Sequence, residues 1–304
     1  MLDTTREIVD GLMQPLATIS PKYFYDARGS ALFEEITRLP EYYPTRTERA
    51  IMQRHGAEIA RRLGPGRTVI ELGAGNCEKA RELCEAIAAS RFVALDISED
   101  FLHQSVARLR AEMPSLDVRA VAADLSAEIV LPPEVPPEKR LVYYPGSSIG
   151  NFDPPQALAL LTRMRHLLQD DGALLIGVDL RKDVAVLEAA YDDAAGVTAA
   201  FNLNVLTHLN RLIGSDFSLR DWRHRAFYNA RASRIEMHLE AVADCAVQWA
   251  GGGRAFARGE RIHTENSYKV DIEGFVHQLD EAGFKRTVVW TDERRWFAVV
   301  LACP

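Results

Sequence analysis

The sequence predicts an α/β fold: a parallel sheet covered by helices on both faces, with a smaller α+β part built around it. Three observations point there. From about residue 68 to 179, short apolar runs alternate with segments of helical period, the rhythm of consecutive strand–helix–strand units. The run Val69-Ile70-Glu71-Leu72-Gly73-Ala74-Gly75-Asn76-Cys77-Glu78-Lys79-Ala80 reads as a buried strand, a glycine turn and the start of a helix. The rhythm then lapses between about 183 and 269 and resumes for a last helix and two strands.

Taken in order, residues 4–17 read as a short helix and Pro21-Lys22-Tyr23-Phe24-Tyr25-Asp26 as an irregular aromatic segment. Ala31–Thr37 reads as a helical turn, and Thr47 as the N-cap of a helix that runs to about Leu63 and is broken by Gly64-Pro65-Gly66. The first strand is Thr68–Leu72, followed by helical periodicity over Glu78–Ala89. Phe92–Ile97 is a second strand with Asp96 near its end, and Glu99–Glu112 a helix behind Ser98 as cap. Val118–Ala123 is a third strand, leading to Asp124. Beyond the proline-rich loop 131–137 come a fourth strand, Arg140–Tyr144, a helix, Pro154–Gln169, and a fifth strand, Gly172–Asp179.

Val197–Ile213 is a long helix, after which Arg225–Trp249 and Arg254–His263 alternate like antiparallel strands around Gly251-Gly252-Gly253. Met237, Leu239 and Val242 are candidate core positions there. Asp271–Ala282 is the last helix, and Arg286–Thr291 and Trp296–Ala302 form a hairpin through Asp292-Glu293-Arg294-Arg295. The expected domains are 57–182 with 270–304, and 1–56 with 183–269.

Bulk properties fit a water-soluble enzyme. A chain of 304 residues is on the order of two domains of ~150 residues, and 47% hydrophobic content is ample for a core. A net charge of −7 argues against a sequence-independent grip on nucleic acid, which needs a basic face. No cationic start followed by an apolar run marks the N-terminus, and no apolar stretch approaches the roughly 20 residues of a membrane span. Cys77, Cys84, Cys245 and Cys303 match no zinc spacing and read as reduced and mostly buried, as in a cytoplasmic protein. The eight histidines are scattered, so no metal is expected.

In an open α/β sheet, ligands bind beyond the carboxyl ends of the strands. Glu71, Gly73, Gly75, Asp96 and Asp124 all fall at such ends. Glycines let a ligand approach the backbone. A carboxylate at Asp96 can accept two ribose hydroxyls, and one at Asp124 an adenine amino group. A dinucleotide fingerprint wants a third glycine where this chain has Glu78. Acidic groups beside the turn also repel a pyrophosphate and favour the sulfonium of S-adenosylmethionine. Read singly, Asp96 and Asp124 also suit helix caps; the set in register suits the cofactor. With the antiparallel last strand, the fold expected is a Rossmann-like methyltransferase sheet plus a smaller α+β substrate domain.

Further strings extend this reading: Lys22-Tyr23-Phe24-Tyr25-Asp26, Leu39-Pro40-Glu41-Tyr42-Tyr43-Pro44-Thr45-Arg46, Tyr144-Pro145-Gly146-Ser147-Ser148-Ile149-Gly150-Asn151-Phe152, Val178-Asp179-Leu180-Arg181-Lys182-Asp183 and Ile262-His263-Thr264-Glu265-Asn266-Ser267-Tyr268-Lys269. With the glycine turn, they make the chain resemble, nearly end to end, the L-histidine Nα-methyltransferases of ergothioneine biosynthesis. Ala74 and Asn76 stand where some of those proteins carry Ser and Thr.

The resemblance implies trimethylation of the α-amine of free L-histidine to hercynine by S-adenosylmethionine. It implies that Tyr42, Gly73, Gly75, Lys79, Asp96 and Asp124 line the cofactor site. Asn151 and Tyr191 would grip the amino-acid end with Tyr25 near by, so that Asn151 and Tyr25 are the expected catalytic pair. Glu265 and Ser267 would hold the imidazole, and Met237 would pack near the ring. Plainer roles stay open: Met237 as core, Tyr191 as a helix-face aromatic, Lys79 as a surface charge.

An extended segment puts Glu265 and Ser267 on one face, where an acceptor and a hydroxyl can serve two ring nitrogens. Such paired polar recognition discriminates strongly. The rivals are Nα-methylation of tryptophan or tyrosine, methylation of nucleic acid or protein, and a non-catalytic S-adenosylmethionine-binding module. The expected partner is a small molecule alone, L-histidine, with no nucleic acid, no membrane and a monomeric chain.

Overall fold

The computed structural model describes residues 2–304, with side chains from Thr4 onward. Helix α1 (Leu2–Leu12) and the short strand β1 (Ala17–Thr18) lead to a 3-10 turn, Pro21–Phe24, and to α2 (Ala27–Ile36). Asp26 caps α2 by accepting from Gly29 N at 2.7 Å. Then follow α3 (Tyr43–Leu63), β2 (Thr68–Leu72), α4 (Glu78–Ala86), β3 (Arg91–Asp96), α5 (Glu99–Glu112), β4 (Asp117–Ala122), β5 (Arg140–Tyr144), α6 (Pro154–His166) and β6 (Ala173–Asp179). The next stretch holds α7 (Val184–Ala189), α8 (Val197–Ile213), β7 (Trp222–Asn229), β8 (Arg234–Ala241), β9 (Cys245–Trp249), β10 (Gly252–Phe256) and β11 (Arg261–Tyr268). The chain closes with α9 (Ile272–Glu281), β12 (Arg286–Thr291) and β13 (Phe297–Cys303).

These elements form two compact units. The first comprises Pro44–Arg181 and Lys269–Pro304 and carries a seven-stranded sheet in the order β12-β13-β6-β5-β2-β3-β4. β6, β5, β2, β3 and β4 run parallel, and β13 lies antiparallel between β12 and β6. Helices cover both faces: Ile51, Ile59, Leu83, Val106 and Leu109 pack on one, and Leu160, Leu161, Met164, Phe275 and Leu279 on the other. Burial from both sides is why the inner strands read as unbroken apolar runs. Strand order reverses at β2, so its carboxyl end, with those of β3 and β5, is the crevice expected for a ligand.

The segments that leave and re-enter this unit run side by side. Leu180 pairs with Val270, Arg181 N donates to Val270 O, and Lys269 Nζ lies 3.0 Å from Asp179 Oδ2 with both side chains almost wholly buried.

The second unit comprises the chain up to Tyr43 and Lys182–Tyr268. It holds a four-stranded sheet, β1-β11-β8-β7, and the β9–β10 hairpin. Phe201, Val205, Leu206 and Leu209 of α8 are buried there.

Several expectations are corrected. α3 starts at Tyr43, so Thr47 lies inside it; Pro44, with a fixed φ and no N–H to satisfy, opens the helix. The first domain boundary accordingly falls after Tyr43, because Ile51, Ile59 and Leu63 belong to the seven-stranded core. α1 ends at Leu12, before Pro15. Val242 is exposed, one residue beyond the end of β8. Helix α7, unforeseen, is capped by Asp183, which accepts from Ala185 N at 2.8 Å. Among the described residues, no helix is long and apolar enough to cross a membrane.

Candidate functional site

On the seven-stranded unit, Gly73 (φ 68°) and Gly75 (φ 50°) both take left-handed backbone that a side chain would strain. A Cβ at either would meet nothing within 4 Å. The turn is therefore open above its backbone. Asp96 Oδ2 accepts from Gly75 N at 2.9 Å and Oδ1 from Ser98 N at 2.9 Å. Each oxygen keeps a further lone pair. Asp124 Oδ1 accepts from Ser126 N at 2.8 Å and from its Oγ at 2.6 Å. Both carboxylates are thus oriented by neighbouring groups of the local chain.

Glu71 is the one charged residue in the buried strand β2. Its Oε2 has no partner among the described residues. Burial pushes its carboxyl well above the usual range; Lys79 opposes this, while Asp96 and Glu48 add to it.

Lys79 is half-buried and lies 2.6 Å from Glu48 Oε2, so it is not a plain surface charge. Sequence reasoning missed Glu48. It is buried on α3 and also accepts from Gly146 N at 2.9 and 3.1 Å. A Cβ on Gly177 of β6 would fall 2.0 Å from Glu48 Oε1, so glycine there is what makes room. Gly146 opens the loop that ends at Asn151, the last residue of a 3-10 turn, Ser148–Asn151. Ser147 (φ 61°) is held left-handed, its Oγ accepting from Asp179 N at 2.8 Å.

A second set belongs to the four-stranded unit. Glu265 pairs in register with Met237 and Ser267 with Ile235, so the two share the Met237 face of the sheet. All four are buried. Tyr191 Oη lies 2.6 Å from Ser267 Oγ. The Tyr191 ring meets Tyr42 edge-on at 6.3 Å, and Tyr42 meets Phe33 at 6.3 Å. Tyr25 packs on Phe33 and on Phe201, each at 5.8 Å. The structure therefore joins Tyr191 to Ser267 and Met237 to Glu265. It places Tyr42 beside Tyr191, on the same unit as Tyr25. Phe33 and Phe201, not foreseen, complete the aromatic cluster.

On the other face of this sheet, Glu236, His238 and His263 are grouped as a metal could use them. Their present contacts are otherwise directed. His238 stacks between Phe227 (5.2 Å) and His263 (4.7 Å) and lies 3.0 Å from Glu236, whose other oxygen is 2.7 Å from Arg234. A guanidinium already balances the carboxylate, and burial pulls His238 down to about 4, a neutral ring at ordinary pH.

The model of a family described as histidine-specific, S-adenosylmethionine-dependent methyltransferases matches residues 4–304. A histidine N-alpha-methyltransferase of Mycolicibacterium smegmatis is 42% identical over 303 residues, spanning 98% of this chain and 94% of that one. Its counterpart in Mycobacterium tuberculosis is 37% identical over 304 residues, 98% of this chain and 94% of that one. Ergothioneine biosynthesis protein 1 of Neurospora crassa is 32% identical over 279 residues, 88% of this chain and 31% of that longer protein.

Proposed function

The chain belongs to the histidine-specific, S-adenosylmethionine-dependent methyltransferases, and from that premise we propose that it adds three methyl groups in succession to the α-amine of free L-histidine, giving hercynine as the first step toward ergothioneine. The observation that carries the substrate is the buried polar pair Glu265 and Ser267 on one face of β11, beside Met237.

The chemistry of the donor set fits the cofactor. The glycine turn is open where a Cβ would stand. Asp96 would take the ribose hydroxyls, Asp124 the adenine amino group, and Lys79 the carboxylate of the methionine part, with Gly73 and Gly75 at the backbone and Tyr42 contributing its ring. When bound, S-adenosylmethionine supplies a methyl carbon activated by its sulfonium.

This chain's residues then have to orient a nitrogen lone pair and keep water away. Asn151 offers both a donor and an acceptor for the amino-acid end. The hydroxyls of Tyr25 and Tyr191 can accept from the amine without removing its proton. Successive methylation strips the nitrogen of N–H groups, so few hydrogen bonds to it favour the later transfers. Glu265 accepts the imidazole N–H, Ser267 serves the other ring nitrogen, and Met237 packs on the ring. An indole would leave Glu265 and Ser267 poorly satisfied.

Steady-state kinetics of Glu265→Ala test this. Loss of a charged acceptor is expected to raise the KM for histidine about tenfold or more, with a smaller change in kcat. A collapse of turnover at unchanged KM would contradict the recognition role.

A further inference from the structure

We propose that Asn202, which touches no proposed substrate group, is the positioning residue that makes the imidazole pocket: through Thr264 it holds the bulge that turns Glu265 to the Met237 face, and through His224 it fixes the backbone of Tyr191. The inference rests on the reading of Glu265 given above.

The register of β11 carries the first half. His263 pairs with His238, and the next pair is Glu265 with Met237, so Thr264 is an extra residue. His238 and Met237 are neighbours on β8 and point to opposite faces. An unbroken ladder would pair Thr264 with Met237 and Glu265 with Glu236. Two carboxylates would then stand directly opposite each other, which is unfavourable. Glu265 would also lie on the His238 face, away from Met237. One inserted residue reverses the face of everything after it.

A buried bulge needs partners off the ladder. Thr264 is 1% exposed, and its Oγ1 lies 2.8 Å from Asn202 Oδ1 and 3.1 Å from Met237 O. Asn202, in the middle of α8, is 0% exposed. Its Nδ2 lies 2.9 Å from His224 Nδ1 and 3.0 Å from His238 O. His224 Nε2 lies 2.8 Å from Tyr191 O.

Carbonyl oxygens only accept, and this sets the directions at His224 and Asn202, while the single Thr264 hydroxyl proton is shared between Asn202 Oδ1 and, at the longer distance, Met237 O. His224 must donate from Nε2 and accept at Nδ1. Both protons of the Asn202 amide are then committed, one to His224 and one to His238 O, and its oxygen is left for the Thr264 hydroxyl. The network reaches Glu265 through the bulge, Met237 at its carbonyl and Tyr191 at its carbonyl. No aliphatic side chain at 202 could serve all of these.

The test compares wild type, Asn202→Leu, Thr264→Val and Thr264→Ser with the full chain. The readouts are KM and kcat for histidine, KM for S-adenosylmethionine, and the preference for histidine over ring-N-methylated histidines. Asn202→Leu and Thr264→Val are expected to raise the histidine KM about tenfold and to erode the preference, with the S-adenosylmethionine KM near the wild-type value. Thr264→Ser, which keeps the hydroxyl, is expected to restore both. An unchanged preference, or equal losses for both substrates, would overturn the positioning role.

If neither apolar variant folds, 15N spectra of the wild-type His224 ring decide. A protonated Nε2 with a bare Nδ1 is required, and a protonated Nδ1 overturns the network. Glu265→Ala, run in parallel, separates the two claims. Intact preference in that variant sinks the assignment of Glu265. Lost preference there, with none lost in the network variants, sinks the positioning role alone.

Discussion

Tyr191 Oη and Ser267 Oγ lie 2.6 Å apart, both residues buried, although 76 positions separate them in the chain. Either hydroxyl can be the donor in this bond, and the contact fixes the Tyr191 ring and the Ser267 side chain against each other on one unit. Tyr191→Phe, Ser267→Ala and the double variant form a cycle on the histidine KM. The coupling expected for such a bond is about 1 kcal/mol, or roughly fivefold; strict additivity would show that the contact does not matter to binding.

Glu48 links Lys79 to the amide of Gly146, so its loss should be felt in cofactor binding. Glu48→Ala is expected to weaken S-adenosylmethionine binding several-fold by calorimetry, with Glu48→Gln milder because the amide oxygen still accepts from Gly146 N. Gly177→Ala should reproduce the effect without touching Glu48 chemically, since the new Cβ would collide with its carboxylate. Such overpacking typically costs about 1–3 kcal/mol, readable in urea unfolding. Unaltered binding in Glu48→Ala would refute the link.

Lys269 and Asp179 are paired at 3.0 Å with side chains 0% and 1% exposed. Lys269→Met leaves a buried carboxylate without its cation, which costs on the order of 3–5 kcal/mol. The double variant Lys269→Met/Asp179→Leu should recover much of that stability, because desolvating an ion pair is itself expensive. Equal destabilisation in the single and double variants would contradict this.

Acid should weaken the fold in a defined window. His238 is drawn down to about 4, first by burial, and His224 and His263 are lowered for the same reason. A histidine depressed in the folded state is held neutral there, while the unfolded chain binds the proton. Its stabilising effect is complete above about 6.5 and is lost as pH falls through the folded value. Glu236, held at about 2 by Asn229, Arg234 and His238 against the pull of burial, adds a loss at still lower pH. Urea midpoints should therefore fall between about pH 6.5 and 4, and His238→Gln should flatten part of that slope. A midpoint independent of pH across that range would be incompatible with neutral buried rings.

The sheet was legible because its strands are sharply bounded apolar runs: Thr68–Leu72, Arg140–Tyr144 and Arg286–Thr291 begin and end where the sequence says. The glycine turn was legible too, since left-handed backbone at Gly73 and Gly75 needs glycine. The bulge at Thr264 was not, because one extra residue in a strand has no local signature and shows only in the pairing with β8. Glu48 was hidden for a similar reason. It looks like any helix-surface acid until α3 is packed on the sheet and Gly146 and Lys79 come within reach. Asn202 reads as a polar residue in a helix, and only the tertiary fold reveals that it is buried and fully bonded.

The central claim is tested most directly by incubating the protein with S-adenosylmethionine and each of the twenty amino acids, and following the products by mass spectrometry. The account predicts that histidine alone is efficiently converted, through species with one and two added methyl groups, to one with three on its α-nitrogen. No transfer to histidine, or faster transfer to tryptophan, would contradict it.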